Sequence, residues 1–383
     1  METTCKSIMS FVFISLLVAL LFILTVMTHE AQARGWGIGF GGEGNDVGYS
    51  VQQTNDGGYI VVGSTESYGF GKNDVYMIKI YFDGYKAWEK TFGGEGNDVG
   101  YSVQQTNDRG YIVVGSTESY GAGGSDVYLI KTDAYGNIEW QRMFGGRGRD
   151  EGYSVQQTTD GGYIIVGSRD GDVYLIKTNE LGNKEWDKTF GRFGNDEGYS
   201  VQQTTDGGYI TAGHRGDDIY LVKTDALGNT EWQETFGGKD IDIGHSTQQT
   251  NEGGYIVAGS TGSYGVGLVG SYDVYLIKTD ASGNIVWQKT FGGEYDDEGY
   301  FIHQTSDGGF VIVGDTNSYG AGRSDIYLLK TDTQGNKKWE KTFGGESDDH
   351  GYSVQQTTDG GYIITGSCCG DVCLIKTDAN GND

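Results

Sequence analysis

Seven aspartates, Asp46, Asp98, Asp150, Asp196, Asp242, Asp297 and Asp349, recur at one position of a repeated phrase. A ring of carboxylates could ligate calcium, but Ca2+ needs six to eight converging oxygens, and the spacing has no EF-hand pattern. A residue used in every copy serves the copy, so each Asp is read as the cap of its own turn. No metal site is expected, and Ca2+ is the one cofactor left open. Five histidines show no HxH or HExxH pairing, which speaks against zinc. There is no G-x-S-x-G elbow for a serine nucleophile. Cys368 and Cys369 form a vicinal pair close to Cys373. They are read as small residues of a short loop, with Cys373 in the place of a repeated Tyr. An odd number of cysteines beyond residue 33 leaves at least one without an intramolecular partner. The tripeptide Arg215, Gly216, Asp217 and the run "GFGGEG" at 39–44 match known patterns by chance, since no helix follows the glycines to receive a phosphate.

Stacking is the chemistry with more support. Tyr68, Tyr120, Tyr264 and Tyr319 each stand in an "S-Y-G" phrase at a matched position. Flat amphipathic rings so placed suit sugar rings or a peptide. Arg169, Asp170, Arg215 and Asp217 are placed to supply polar contacts. Asp170 and Asp217 are also non-repeated carboxylates. A glycosidase would need such a pair about 5–5.5 Å apart to retain configuration, or about 6.5–9.5 Å apart to invert it.

These residues are carried by seven repeats. "FGG" or a variant occurs at Phe40, Phe92, Phe144, Phe190, Phe236, Phe291 and Phe343, with spacings of 52, 52, 46, 46, 55 and 52 residues. Each copy reads as four strands: A ("GYSVQQT"), B ("GYIVVGS"), C ("DVYLIKT") and D ("IEWQRMF"). "T-x-D-G-G" joins A to B, and "D-A-x-G-N" joins C to D. Strands B and C are apolar on both faces, as strands between neighbouring sheets must be. Four strands in about 50 residues, seven times over, predict a seven-bladed all-β propeller of four-stranded antiparallel blades. The seven tryptophans, Trp36 to Trp339, share one position in strand D. The last copy ends before its Trp, and Trp36 has no strands A to C before it. The N-terminal strand is therefore predicted to complete the last blade and close the ring, which removes an exposed edge.

Every difference in repeat length falls between strands B and C. The offsets are 10, 10, 4, 4, 13, 10 and 4 residues. These loops share one face of the disc with the D–A turns, so the variation marks that face for binding. Long loops on blades 1, 2, 5 and 6 predict two walls carrying the four tyrosines, with a groove over blades 3, 4 and 7.

Residues 1–10 contain one basic side chain, 11–27 are apolar, and small residues follow at Ala31 and Ala33. This is the layout of a secretory signal over 1–33, or of an N-terminal membrane anchor if it is kept, with the propeller occupying 34–383. A net charge of −26 repels nucleic acid and favours neutral or cationic ligands. Gly at 68 of 383 residues with no Pro indicates many turns, and without a three-residue period it is not collagen.

With "DGGYIVxG" and "DVYLIKTDxxGNxxWxKTFGG" written out, the chain resembles the exported bacterial and archaeal β-propeller repeat proteins. It is also similar to delta-60 repeats, and members are sometimes labelled endoglucanase-like. "TDAYGNIEW" is similar to the tryptophan-docking motif of quinoprotein propellers, and "T-x-D-G-G-Y" to the Asp-box turn of sialidases. The resemblance implies the fold and an exported location, secreted or at the cell surface. Neither motif implies a catalytic residue. The expected function is non-catalytic binding of an extended polymer, polysaccharide or peptide, by a monomer without nucleic acid and with no membrane contact beyond a possible anchor. The alternatives are an endoglucanase-type glycoside hydrolase and a purely structural surface protein.

Overall fold

A computed structural model describes residues 35–191 and 195–383. The expected signal or anchor over 1–33 lies outside the described residues. Twenty-eight strands, numbered in chain order, form seven four-stranded antiparallel sheets, each a blade of one ring. Blades 1 to 6 each take four consecutive strands, A to D. The seventh has the order β1-β28-β27-β26, so β1 (Trp36–Phe40) fills the D position beside β28 (Asp371–Thr377). Trp36 is paired with Lys376 and Phe40 with Val372. The predicted ring closure is present.

The core lies between blades rather than within them. Each of seven apolar clusters joins strands B, C and D of one blade to strands B and C of the next, and in all but the blade 4–5 cluster to its strand A as well. Thus Val62, Met77 and Phe92 pack with Val103, Tyr111 and Tyr128. Across the closing seam, Trp36 and Phe40 pack on a cluster containing Val51, Tyr59 and Tyr76. Every Trp meets the first ring of the next blade's strand B, at centroid separations from 5.6 to 6.2 Å. It also lies against the C–D turn of that blade. A Cβ on Gly136, whose φ is +76°, would sit 2.8 Å from the Trp88 ring. Glycine is required there both by the left-handed backbone and by the indole.

Polar side chains bolt the blades together around the channel. The Gln105 N–H donates to Gln52 Oε1 at 2.6 Å, and the Asn55 N–H to Gln105 Oε1 at 2.8 Å. The same pair spans the seam: the Gln53 N–H donates to Gln355 Oε1 and the Thr358 N–H to Gln53 Oε1. At the A–B turns, a buried strand C lysine meets the turn carboxylate in all seven blades. Lys177 Nζ, for example, lies 2.8 Å from Asp160 and 3.0 Å from Glu185. Burial works against the charge on Asp160, but bonds from Lys177, Thr158 and the Gly162 N–H outweigh it and hold its pKa down to about 2.

Two outcomes follow for stability. Trp36→Ala should lower unfolding free energy in urea by about 2–4 kcal/mol, close to the loss from Trp88→Ala inside an uninterrupted blade; wild-type stability in the Trp36 variant would contradict closure by β1. Arg109 holds φ +72° where the other six A–B turns have glycine between +78° and +89°. Arg109→Gly should therefore stabilise the protein by about 0.5–1 kcal/mol, the left-handed penalty less the entropy of the added glycine, and a lowered melting temperature would refute this.

Candidate functional site

The long B–C loops fold back onto the disc. Thr65 Oγ1 accepts the Ser67 and Tyr68 N–H groups, and Ser67 Oγ donates to Asp46. The Tyr68 hydroxyl donates to the Gly41 carbonyl at 2.6 Å. Tyr120, Tyr264 and Tyr319 bond to Gly93, Gly237 and Gly292 in the same way. Each ring packs on the strand C tyrosine of its blade, Tyr68 on Tyr76 at 5.7 Å. Between 37% and 43% of each tyrosine is left exposed. Blades 3 and 4 have no such loop, and there Arg169 lies 5.1 Å over Tyr174 and Arg215 5.2 Å over Tyr220. In blade 7, Cys373 replaces the strand C tyrosine, and Cys368, in the arginine's place, is joined to it by a disulfide. Three chemistries thus cover one spot on strand C.

The expectation for the cysteines is modified accordingly. Antiparallel pairing brings the Cys368 and Cys373 Cα atoms to 5.3 Å, within bridging range, while Cys369 is a free, exposed thiol. Asp170 and Asp217 are exposed at the tips of two-residue turns of neighbouring blades. Asp170 has φ +52° beside Gly171 at +85°, as a type I′ turn requires. The eight candidate residues stand on six different blades around the rim.

The repeated aspartates are buried inside their own D–A turns. Asp46 Oδ2 accepts the Gly42 N–H at 2.9 Å, and Asp98 the Gly94 N–H at 2.9 Å. Among the described residues, no group of three or more His, Cys, Asp or Glu side chains is arranged to hold a metal ion.

A site that sequence reasoning missed lies where the central channel opens on this same face. In all seven A strands the ladder slips by one residue, as between Gly48 and Ser50, so that Tyr49 is left unpaired. A bulge re-aims the side chain it carries. Seven bulges turn Tyr49, Tyr101, Tyr153, Tyr199, His245, Tyr300 and Tyr352 towards the channel, where they line a cavity of about 280 Å³ with the serines of blades 1 to 5 and Phe301 of blade 6 beneath. Neighbouring centroids are 5.1 to 5.6 Å apart all the way round. Adjacent planes turn by 37° to 75°, around the ~51° step that seven radial repeats impose on rings standing parallel to the axis.

Departures from the repeat gather behind this ring. The second residue of strand A is Val47, Val99, Glu151, Glu197, Ile243, Glu298 and His350 in turn, and Asp315 replaces a strand B serine. The Tyr199 hydroxyl donates to Glu197 at 2.8 Å. Tyr153 is shared between Glu151 and Glu197, and its pKa is pushed well up by burial and by those two carboxylates. On the other side, Glu298 faces Asp315 across the ladder, and Asp315 meets His350 Nδ1 at 2.5 Å. Burial raises the pKa of both acids, and the bond to Asp315 raises that of His350. The signal was present in the sequence: reading down one repeat column shows which blades break the pattern.

No family model matches the chain, and no curated protein matches its sequence. Solved propellers share its fold at low identity. The WD40 domain of Neurospora crassa Pan2 is 10% identical, with a TM-score of 0.58 over 88% of this chain and 92% of that one. Sqt1 from Chaetomium thermophilum is 12% identical, with a TM-score of 0.52 over 87% and 83%. YCF48 bound to D1 peptide is 9% identical, with a TM-score of 0.52 over 90% and 96%. At such identities the likeness is one of fold, and the chain is a β-propeller repeat protein.

His245 gives the ring a measurable acid response. Burial, helped by His214, lowers its pKa to about 4, and its Nε2 is sealed without a partner. The unfolded chain takes up that proton near pH 6.5 and the native one only near pH 4, so this contribution to stability is full above pH 6.5 and is lost as the pH falls towards 4. His245→Tyr, which restores the repeat, should melt progressively higher than wild type as the pH drops from 7 to 5. A constant difference across that range would refute it.

Proposed function

We propose that this chain is an exported, non-catalytic binding propeller that takes an extended polymer, best a polysaccharide strand, across the face bearing the channel mouth. The observation that carries this reading is the gathering of non-repeated residues behind the aromatic ring. In a scaffold repeated seven times, symmetric positions serve the blade, and only the asymmetric ones can select a ligand. His245 is one of the seven rings that line that mouth, and Glu151, Glu197, Glu298, Asp315 and His350 stand behind the rings and set their polarity. Around them, Phe70 on blade 1 and Val266 on blade 5 project from the long loops almost uncovered, which gives the rim apolar contacts as well. The four loop tyrosines each keep one side open to a ligand while the hydroxyl is anchored.

Binding fits this geometry better than hydrolysis. Glu298 and Asp315 are cross-strand neighbours on one sheet, whereas a glycosidase places its two carboxylates on either side of the scissile bond. Asp170 and Asp217 extend from separate hairpins and serve as polar contacts at the low part of the rim.

Affinity electrophoresis against soluble β-glucan, xylan and chitosan tests this. At least one polymer should retard the protein, and Tyr199→Ala with Tyr352→Ala should weaken retardation by about 1–3 kcal/mol for each ring that stacks, with the fold verified by melting. Phe82→Ser on the opposite face should not change it. Unaltered mobility in every polymer, or equal retardation of the ring variant, would overturn the polysaccharide reading; release of reducing sugar by wild type would replace it with hydrolysis.

A further inference from the structure

Five of the seven C–D turns are closed by the same Asp–Asn clasp, and in blade 3 Asn179 takes the place of the Asp and accepts the Leu181 and Asn183 N–H groups. In blade 2, Asp133 Oδ1 accepts the Tyr135 and Asn137 N–H groups at 2.8 and 2.9 Å, and the Asn137 side chain donates back to Asp133 Oδ2. Blade 1 gives this up. Tyr81 and Tyr85 stand where the Asp and Asn belong, with Phe82 between them. The two backbone bonds of the turn remain, from the Tyr81 N–H to the Tyr85 carbonyl and from the Gly84 N–H to the Tyr81 carbonyl. The side-chain clasp is reduced to a 3.4 Å contact from the Tyr85 N–H to Asp83. In exchange, three aromatic side chains face solvent, Tyr81 at 54%, Phe82 at 57% and Tyr85 at 73% exposure. Nothing in the packing of the blade calls for this, since the clasp would stabilise the turn and exposed rings do not.

Position suggests what the rings meet. The C–D turns lie on the face opposite the channel mouth, and this one adjoins β1. A Cβ on Gly84 would touch Ile38 at 2.6 Å and the Trp36 ring at 3.4 Å. The patch therefore sits where the chain enters the propeller. In sequence, the apolar stretch 11–27 ends eight residues before Gly35 is passed and Trp36 begins β1, a reach of at most about 30 Å even when fully extended. On the same face Tyr135 and Ile138 of blade 2 are exposed at 73% and 47%. The apolar side chains Leu181, Leu227 and Ile285 are exposed at the turns of blades 3 to 5, but only blade 1 places three aromatic rings in one turn. Tyrosine and phenylalanine at the edge of a folded domain are the residues that settle at the boundary between lipid headgroups and acyl chains. The net charge of −26 selects against an anionic surface.

We infer that Tyr81, Phe82 and Tyr85 form a membrane-docking patch, which lays the face opposite the channel mouth on a zwitterionic bilayer and turns the mouth away from it. The inference does not depend on which ligand the mouth takes.

The test uses the full chain carrying Cys5→Ser and Cys369→Ser, which leaves the Cys368–Cys373 bridge in place. Single reporters are introduced by Phe82→Cys or Phe70→Cys, labelled with a polarity-sensitive dye, and the protein is reconstituted with phosphatidylcholine vesicles. With nitroxide-labelled phosphatidylcholine, quenching at position 82 should exceed that at position 70, on the opposite face, at least threefold. Tyr81→Ser with Tyr85→Ser should bring the two values together. Equal quenching at both positions with Tyr81 and Tyr85 intact, or none at 82, overturns the inference. A shift at 82 that follows protein concentration rather than lipid also overturns it, in favour of self-association.

Discussion

No blade of this protein has a core of its own. Strands B and C are apolar on both sides, and each side is buried only when another blade lies against it. Burial at this density stabilises by roughly 25 cal/mol per Å², so an unclosed ring would leave two whole sheet faces in water. The remaining devices serve that closure. Trp from one blade reaches the turn glycine of the next, glutamine side chains bind neighbouring backbones, and a buried lysine secures each A–B turn. The sequence repeats because one interface is solved seven times.

The same repetition decided what could be read from the chain. Strand number, blade number and the sharing of the last blade between the termini were legible, because turn residues, Trp positions and strand lengths are local signals that recur. The confinement of length variation to the B–C loops was equally plain. What the loop tyrosines do was not, since a "S-Y-G" phrase does not show that the carbonyl of Gly41 waits beneath the hydroxyl of Tyr68. Arg169, Arg215 and the Cys368–Cys373 bridge are interchangeable with those tyrosines only in three dimensions. The aromatic ring was hidden for a related reason. "GYS" in strand A looks like an alternating strand, and only the ladder shows that Tyr49 falls in a bulge and turns to the axis.

Symmetry in this molecule is a background against which exceptions stand out. The aspartates of the D–A turns, uniform in all seven blades, serve the blade: Oδ2 caps the turn, as in Asp46 and Asp98, and takes a B–C loop serine where that loop is long. Oδ1 of Asp46, Asp98, Asp150, Asp297 and Asp349 is buried without a hydrogen-bond partner among the described residues. The exceptions at the channel mouth bring acids and imidazoles together on one face, and the exception in the blade 1 turn trades a polar clasp for aromatic rings on the other. The two faces of the disc thus differ in chemistry although they are built from the same strands.

The pairing of Trp36 with Lys376 has a kinetic side. A chain made from its N-terminus produces β1 first, yet its partner is among the last segments to emerge. Throughout synthesis β1 is an orphan strand, and six complete blades must stand as an open arc whose two ends expose apolar sheet. Closing a loop of that length is entropically slow to begin and gains little until the register is right. The pairing of β1 with β28 is thus the last blade contact that synthesis makes available. A tether on residue 35 would act on that pairing directly, by fixing one jaw of the gap while the other is still being made.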